Sequence, residues 1–310
     1  MAAPLAQVPG SVQPVKPAAS VDPGPTPSAN AAAPGSPAAD RAPDSAEANR
    51  LRLAPLTFAD PWRWLARGGA DLMAAPGLAL FYGVCFWGMA LLLGWVFRSN
   101  PEYTMSIASG CLLLGPFLAM GLYDASRRRE RGQKPELGLS LVCWDRHMGS
   151  MAMLVLVLLV LELIWGRASL VVFAVFFNTG MPSTTGVIQA VFNPENWEFV
   201  AVYTVVGGLF ASLVYSIAVV SIPMILDRDT DAITAAITSL RVVLGHTGVM
   251  LLWAAIITVL VALALWPWGL GLVLLGPWLG HASWHAYRGA VLWPAPEAAA
   301  PVAPPSEPLG

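Results

Sequence analysis

Charged side chains are scarce in this chain of 310 residues. Asp, Glu, Lys and Arg together make up 12% of it, about half of the share of roughly 25% that is usual in globular proteins. Apolar residues make up 56%, and the mean hydropathy is +0.62. A water-soluble domain of this size cannot bury so much apolar surface while covering itself with so few charges. The composition therefore excludes a soluble enzyme and indicates a membrane protein with several spans.

Features that several function classes need are missing as well. The net charge of −2, without a basic domain, excludes a nucleic-acid binder. The three cysteines, an odd number without a CxxC motif, predict neither a disulfide framework nor a thiolate metal site. No Walker, GxSxG, HExxH or CxxCH motif occurs, so no catalytic residues are predicted and an enzyme is not expected. The first residues contain no apolar core with a cleavage site, so we predict no secretory signal.

Proline and alanine dominate both ends of the chain. Residues 1–55 form an Ala/Pro-rich segment without apolar periodicity, and residues 292–310 have the same character. Such segments cannot bury enough apolar surface to fold, so we predict two disordered arms. The membrane domain is expected over residues 56–291.

Six apolar runs lie between these arms. A helix rises 1.5 Å per residue, so 17–25 apolar residues cross the hydrocarbon layer. Each run must be helical, because no water is available there to satisfy the backbone. The fold class is thus an all-α, polytopic transmembrane bundle of six spans. The predicted spans cover about residues 77–97, 103–123, 148–166, 199–225, 248–266 and 268–285.

The third run is longer than one upright span. Apolar character continues past Arg167 to Phe177, which would make a helix of about 45 Å. We predict that the span ends near Gly166 and that a shorter interfacial piece follows.

The positive charges predict the orientation. Of the 17 Lys and Arg residues, all but Arg98 and Arg167 fall on one side of a six-span topology. Because cytoplasmic loops carry the excess of Lys and Arg, we expect a multi-pass protein of a bacterial inner membrane with both termini in the cytoplasm.

Two further segments are typical of amphipathic helices at the membrane surface. One follows the fourth run and spaces its apolar residues helically, at Ile233, Ile237, Leu240 and Leu244. Asp229 or Asp231 could cap its start. The other precedes the first run, and Trp62 and Trp64 are its candidate interfacial anchors.

Glu162 is the acidic residue that lies well inside a predicted span. An intramembrane carboxylate is a candidate proton or ion site, with Arg167 nearby. Alternatively, Glu162 reaches the outer surface or pairs with Arg167. Together with prolines in three spans, which kink helices, Glu162 supports a small transporter or channel as one hypothesis.

Four arginines follow the second run, at Arg127, Arg128, Arg129 and Arg131. This cluster could hold anionic lipid headgroups such as cardiolipin. Alternatively, it serves only as the charge that sets topology.

His281 and His285 are spaced i and i+4 near the end of the sixth run. That spacing places both imidazoles on one helix face, where they could hold a metal or flank a haem. Two ligands do not complete a site, so no cofactor is predicted outright. The alternative is a pair of histidines bonded to headgroups, carbonyls or the region of Asp124.

Three pieces carry a family resemblance, namely GPFLAMGLYDASRRRERGQKP, SIPMILDRDTDAITAAITS and GHASWHAYRGAV. Together they resemble a bacterial family of predicted integral membrane proteins of unknown function, with about six spans. The resemblance covers roughly residues 60–292. Some members carry the label cytochrome c oxidase subunit I, although that oxidase uses about twelve spans. The resemblance implies a fold and a membrane location, and no catalytic residues.

These observations leave three functional hypotheses. The first is an accessory, assembly or regulatory membrane protein whose partners are lipids, including anionic ones, and another membrane protein. The second is a small transporter or channel that uses Glu162 and kinked helices. The third is a haem- or metal-binding redox accessory that uses His281 and His285.

Overall fold

The computed structural model describes residues 52–100, 103–177 and 193–293. Helices α1 to α8 cover Asp60–Ala74, Pro76–Ser99, Thr104–Glu130, Met148–Phe176, Trp197–Arg228, Ala232–Gly245, Thr247–Ala264 and Leu272–Ala290. Two short strands, β1 (Arg52–Leu53) and β2 (Val291–Leu292), form one antiparallel pair. The all-helical fold predicted from composition is confirmed. The predicted disordered arms lie outside the described residues apart from their inner ends, where the prediction is wrong because β1 and β2 pair there.

Within the described ranges, five helices are long and apolar enough to cross a membrane: α2, α3, α4, α5 and α7. These contain the first five predicted spans. Helix α3 continues beyond the predicted end at residue 123 to Glu130, so the arginine-rich stretch is helical. Helix α8 begins at Leu272 rather than at residue 268, because Trp268 and Gly269 have positive φ angles and form a turn. A sixth span in α8 stays a prediction.

No break in the helix marks the predicted end of the third span near Gly166. Helix α4 runs without interruption from Met148 to Phe176, through Gly166 and Arg167. A break would free backbone groups that cannot bind water within the hydrocarbon layer. Trp165 also ties this part of α4 to α5, since its ring lies 5.3 Å from that of Tyr203.

Helix α8 is the central element of the packing. It contacts α1, α2, α3, α5 and α7. The approach to α1 is very close, because a methyl group added at Gly68 would lie 2.6 Å from the backbone nitrogen of Ala282. Small residues allow such approaches between membrane helices. The side chains of Trp253, Trp284 and Tyr287 are fully buried nearby in the main apolar cluster.

The predicted surface helix after α5 is present as α6. Asp231 caps it by accepting hydrogen bonds from the backbone amides of Ile233 and Thr234, at 3.0 and 2.9 Å. A hydrogen bond from the side chain of Thr234, together with these backbone bonds, lowers the pKa of Asp231. The small and polar face, at Ala235, Thr238, Ser239 and Val242, is buried against the bundle. The predicted apolar stripe faces outward, at Ile233, Ile237, Leu240 and Leu244.

The two tryptophans of α1 have different environments. Trp62 is 59% exposed, as expected of an interfacial anchor. The prediction for Trp64 is wrong, because its side chain is buried and its ring lies 5.5 Å from that of Trp253. Trp64 is on the α1 face that contains Gly68, and that face packs on α8.

Candidate functional site

Four helices bring charged side chains together at one end of the bundle. Helix α1 supplies Asp71, and α3 supplies the stretch from Asp124 to Glu130. Helix α5 supplies Asp227 near its end, while α8 supplies His281, His285 and Arg288. We call these residues, with their arginine partners, the ionic cluster. Its carboxylates and cations come from sequence positions that are far apart.

Asp124 is the innermost member of the cluster, with no solvent exposure. One carboxylate oxygen accepts a hydrogen bond from Arg127 and the other accepts one from Arg128, both at 2.6 Å. Arg127 also donates to the carbonyl of Leu226 at 2.7 Å. That carbonyl lies at the end of α5, where carbonyls have no partner within the helix. Arg127 therefore joins α3 to α5.

Asp71 connects α1 to both α3 and α8. Its carboxylate pairs with Arg129, and the Nε2 atom of His285 lies 2.9 Å from its second oxygen. Burial alone would raise the pKa of Asp71, but hydrogen bonds from His285, Ser126 and Arg129 outweigh it and hold the pKa below its ordinary value. The charged form is thus favoured at this buried position.

Asp227 and Glu130 form the outer part of the cluster. The hydroxyl of Tyr287 donates to Asp227 at 2.9 Å, and Arg288 lies 3.4 Å from the same oxygen. Glu130 forms an ion pair with Arg288 at 3.2 Å, and its other carboxylate oxygen lies 3.6 Å from Nδ1 of His285. Both carboxylates thus pair with Arg288 of α8.

The histidine pair considered as a candidate metal or haem site is buried in the cluster. His281 is 1% exposed, and its Nδ1 atom lies 2.8 Å from the hydroxyl of Ser126. Its Nε2 atom is buried and has no hydrogen-bond partner among the residues that the structure describes. Asp71 engages Nε2 of His285, so the two imidazoles have separate partners. Among the described residues, no group of three His, Cys, Asp or Glu side chains could hold a metal ion.

The four arginines that are candidates for headgroup binding have protein partners. Arg127 and Arg128 bind Asp124, and Arg129 binds Asp71. Arg131 is the most peripheral, with 57% of its side chain exposed and 3.8 Å to Asp227. Headgroup binding by these four stays a prediction, and three of them already have a strong acceptor.

Glu162 lies apart from the ionic cluster, on the α4 face next to α3. Ser109 donates to one of its carboxylate oxygens at 2.7 Å. The other oxygen is buried without a partner within the described ranges. The structure records no ion pair between Glu162 and Arg167, whose side chain is exposed. The pairing that was one alternative for Glu162 is thus not formed.

Sequence reasoning missed Asp71 and Asp227, although both are central to the cluster. A signal for Asp71 was available, because helical spacing places it on the face of α1 that also contains Trp64, Gly68 and Leu72. A charge on an otherwise apolar face indicates a buried partner. Nothing in the local sequence indicated that the partner would be His285.

A comparison with protein-family models found a match. Residues 103–227 match the model of a family described as predicted integral membrane proteins (DUF2189). The match confirms the family resemblance, and it contains α3, α4 and α5 with the arginine-rich stretch. Comparisons with curated proteins and with solved structures found no match.

Proposed function

We propose that this multi-pass integral membrane protein, which resembles that family over residues 103–227, acts as an accessory, assembly or regulatory protein of the inner membrane. It works through contacts with lipids and other membrane proteins and catalyses no reaction. The observation that carries this proposal is the pairing within the ionic cluster. Asp71, Asp124 and Asp227 are each bound to cations of the same chain, so the cluster holds helices together.

The outward apolar stripe of α6 supports a role in contacts. Ile233 and Leu244 are 57% and 67% exposed, while the opposite face packs on the bundle. Arg241 is exposed between the apolar side chains, near the carboxyl end of the helix. An apolar stripe with a flanking cation suits the boundary between hydrocarbon and anionic headgroups. The stripe is therefore the surface that we expect to meet lipid or a partner.

We further propose six spans with both chain ends in the cytoplasm. The β1–β2 pair supports an even number of crossings, because Leu53 and Val291 face each other in register. Segments that pair directly lie on the same side of the membrane. Five helices qualify as spans, so α8 supplies the sixth. The excess of Lys and Arg assigns that side to the cytoplasm.

Co-purification tests the proposed role. The full-length protein is solubilised in mild detergent, and bound proteins and lipids are quantified by mass spectrometry. We expect a defined partner whose recovery falls at least fivefold in the double variant Ile237→Ser/Leu244→Ser. The matched control is Leu251→Ser, a similarly exposed leucine on α7, and it should retain the partner. Equal recovery from both variants, or no partner above an unrelated six-span protein, would contradict the proposal.

A second candidate function is proton or cation transport through Glu162. The observation that favours it is the buried carboxylate oxygen without a partner, beside the hydroxyl of Ser109. An intramembrane carboxylate with free acceptor capacity can bind a proton or a cation. Flux assays in proteoliposomes test this candidate, because Glu162→Gln should abolish flux while Glu198→Gln should not. Absence of flux from the wild-type protein excludes it.

A further inference from the structure

Three arginines converge on Asp227 at the outer edge of the ionic cluster. Arg131 directly follows α3, Arg228 ends α5, and Arg288 lies in the last turn of α8. Their nearest nitrogen atoms lie 3.8, 3.5 and 3.4 Å from the carboxylate oxygens of Asp227. The fold thus brings cations from three distant parts of the chain to one point. We call these three arginines the arginine rim.

Hydrogen-bond donors of the rim are left available by these contacts. Charge-assisted hydrogen bonds have N–O distances of about 2.7–2.9 Å, so all three contacts with Asp227 are long. The close contact of Asp227 is the 2.9 Å hydrogen bond that the hydroxyl of Tyr287 donates. The side chains of Arg131 and Arg228 are 57% and 43% exposed. Because a guanidinium group has five N–H donors, both arginines can donate to a further acceptor.

Positive charge exceeds negative charge at the rim. The three guanidinium groups face two carboxylates, those of Asp227 and Glu130. Asp229 is next to Arg228 in the sequence, but its carboxylate contacts His147 at 3.0 Å. The rim therefore offers both charge and donors to an anion.

The depth of the rim in the membrane favours the phosphate of a lipid. Helix α3 qualifies as a span and has 27 residues, which makes it about 40 Å long. A bilayer with its headgroups is about 40–45 Å thick, so Arg131, at the end of α3, lies at the level of the headgroups. Arg228 is held over the ring of Trp293 at 4.7 Å, and tryptophan is enriched at the same level.

We propose that Arg131 and Arg228 bind the phosphate group of an anionic phospholipid, while Arg288 holds Asp227 behind them. Arginine suits this ligand because it can donate two parallel hydrogen bonds to phosphate oxygens. The other three arginines near the end of α3 are less suited, because each has a close carboxylate partner. This inference rests on the proposed function, in which the protein works through lipid contacts. A free phosphate ion has the same chemistry, so the experiment separates the two sources.

Removal of the two exposed arginines tests the proposal. The full-length protein is incubated in detergent with equal amounts of phosphatidylglycerol and phosphatidylcholine, and the lipids retained per protein are counted by native mass spectrometry. Arg131→Gln/Arg228→Gln should retain at least about fivefold less phosphatidylglycerol and the wild-type amount of phosphatidylcholine. The matched control is Arg63→Gln/Arg67→Gln, which removes the same charge from exposed arginines of α1 and should retain phosphatidylglycerol fully.

The remaining outcomes have separate readings. Equal losses from the rim variant and the α1 variant would overturn the proposal, since net charge alone would then attract the lipid. Full retention by the rim variant would also overturn it, because water and the helix ends would then suffice for these arginines. Displacement of phosphatidylglycerol from the wild-type protein by excess inorganic phosphate would overturn the lipid assignment in favour of a free anion.

A single substitution covers a failure to fold. Arg131→Gln replaces the double variant in that case, because the 3.8 Å contact of Arg131 with Asp227 is the longest of the rim. Its retention of phosphatidylglycerol should again fall below that of Arg63→Gln. These assays use no protein partner, so their failure is distinct from failure of the co-purification test.

Discussion

Replacing Arg127 by methionine is expected to lower the free energy of unfolding by about 3 kcal/mol. The side chain is 19% exposed and donates to Asp124 and to the carbonyl of Leu226, at 2.6 and 2.7 Å. Breaking a buried ion pair costs about 3–5 kcal/mol. The low end of this range applies to Arg127→Met, because Arg128 still binds the second carboxylate oxygen of Asp124. Methionine keeps the long apolar stem, so the loss reflects the charge and its donors.

Arg63→Met provides the matched control. Arg63 and Asp60 have the same i, i+3 spacing as the Arg127 pair, but 64% of the Arg63 side chain is exposed. An exposed pair contributes at most about 1 kcal/mol. Both variants are unfolded by increasing amounts of SDS in mixed micelles and followed by tryptophan fluorescence. Unfolding free energies that agree within about 0.5 kcal/mol would refute the view that the ionic cluster stabilises the bundle.

Three further predictions concern pH, packing and capping. The pKa of Asp71 lies below its ordinary value of 3.8, so its contribution to stability is complete above that pH and is lost as the pH falls through the lowered pKa. Asp71→Asn should flatten the acid limb of a stability–pH profile, and an unchanged limb would contradict this. Gly68→Ala, which crowds the backbone of Ala282, should cost about 1–3 kcal/mol. Gly88→Ala, where the added methyl group meets open space, should raise the free energy of unfolding by up to about 1 kcal/mol. Equal unfolding midpoints for the Gly68 and Gly88 variants would refute the assigned packing. Asp231→Ala should cost about 1 kcal/mol and speed hydrogen exchange in the first turn of α6, so unaltered exchange there would argue against the cap.

Local patterns in the sequence predicted the parts of the fold that depend on local physics. Apolar runs predicted the five qualifying spans, because a helix that crosses lipid must be long and apolar. Helical spacing and Asp231 predicted α6 and its cap. The continuous helix at Gly166 was not predicted, because a helix of about 45 Å is longer than one upright span needs.

The ionic cluster could not be predicted, because its contacts join distant parts of the chain. His285 and Asp71 are separated by 214 positions. The i, i+4 spacing of His281 and His285 correctly places them on one helix face, yet Ser126 and Asp71 give them different partners. Helical spacing specifies which residues share a face and contains no information about what that face meets.

The pairing of β1 with β2 has a consequence for biogenesis. These strands are the outermost described elements, at Arg52–Leu53 and Val291–Leu292, and α1 likewise packs on α8. A nascent chain emerging from the ribosome cannot complete these contacts until α8 has been synthesised. Until then Asp71 lacks its partner His285, and the face of α1 that contains Gly68 is not covered by α8. Chains that stop before Leu272 should therefore be recognised and degraded by membrane proteases soon after insertion.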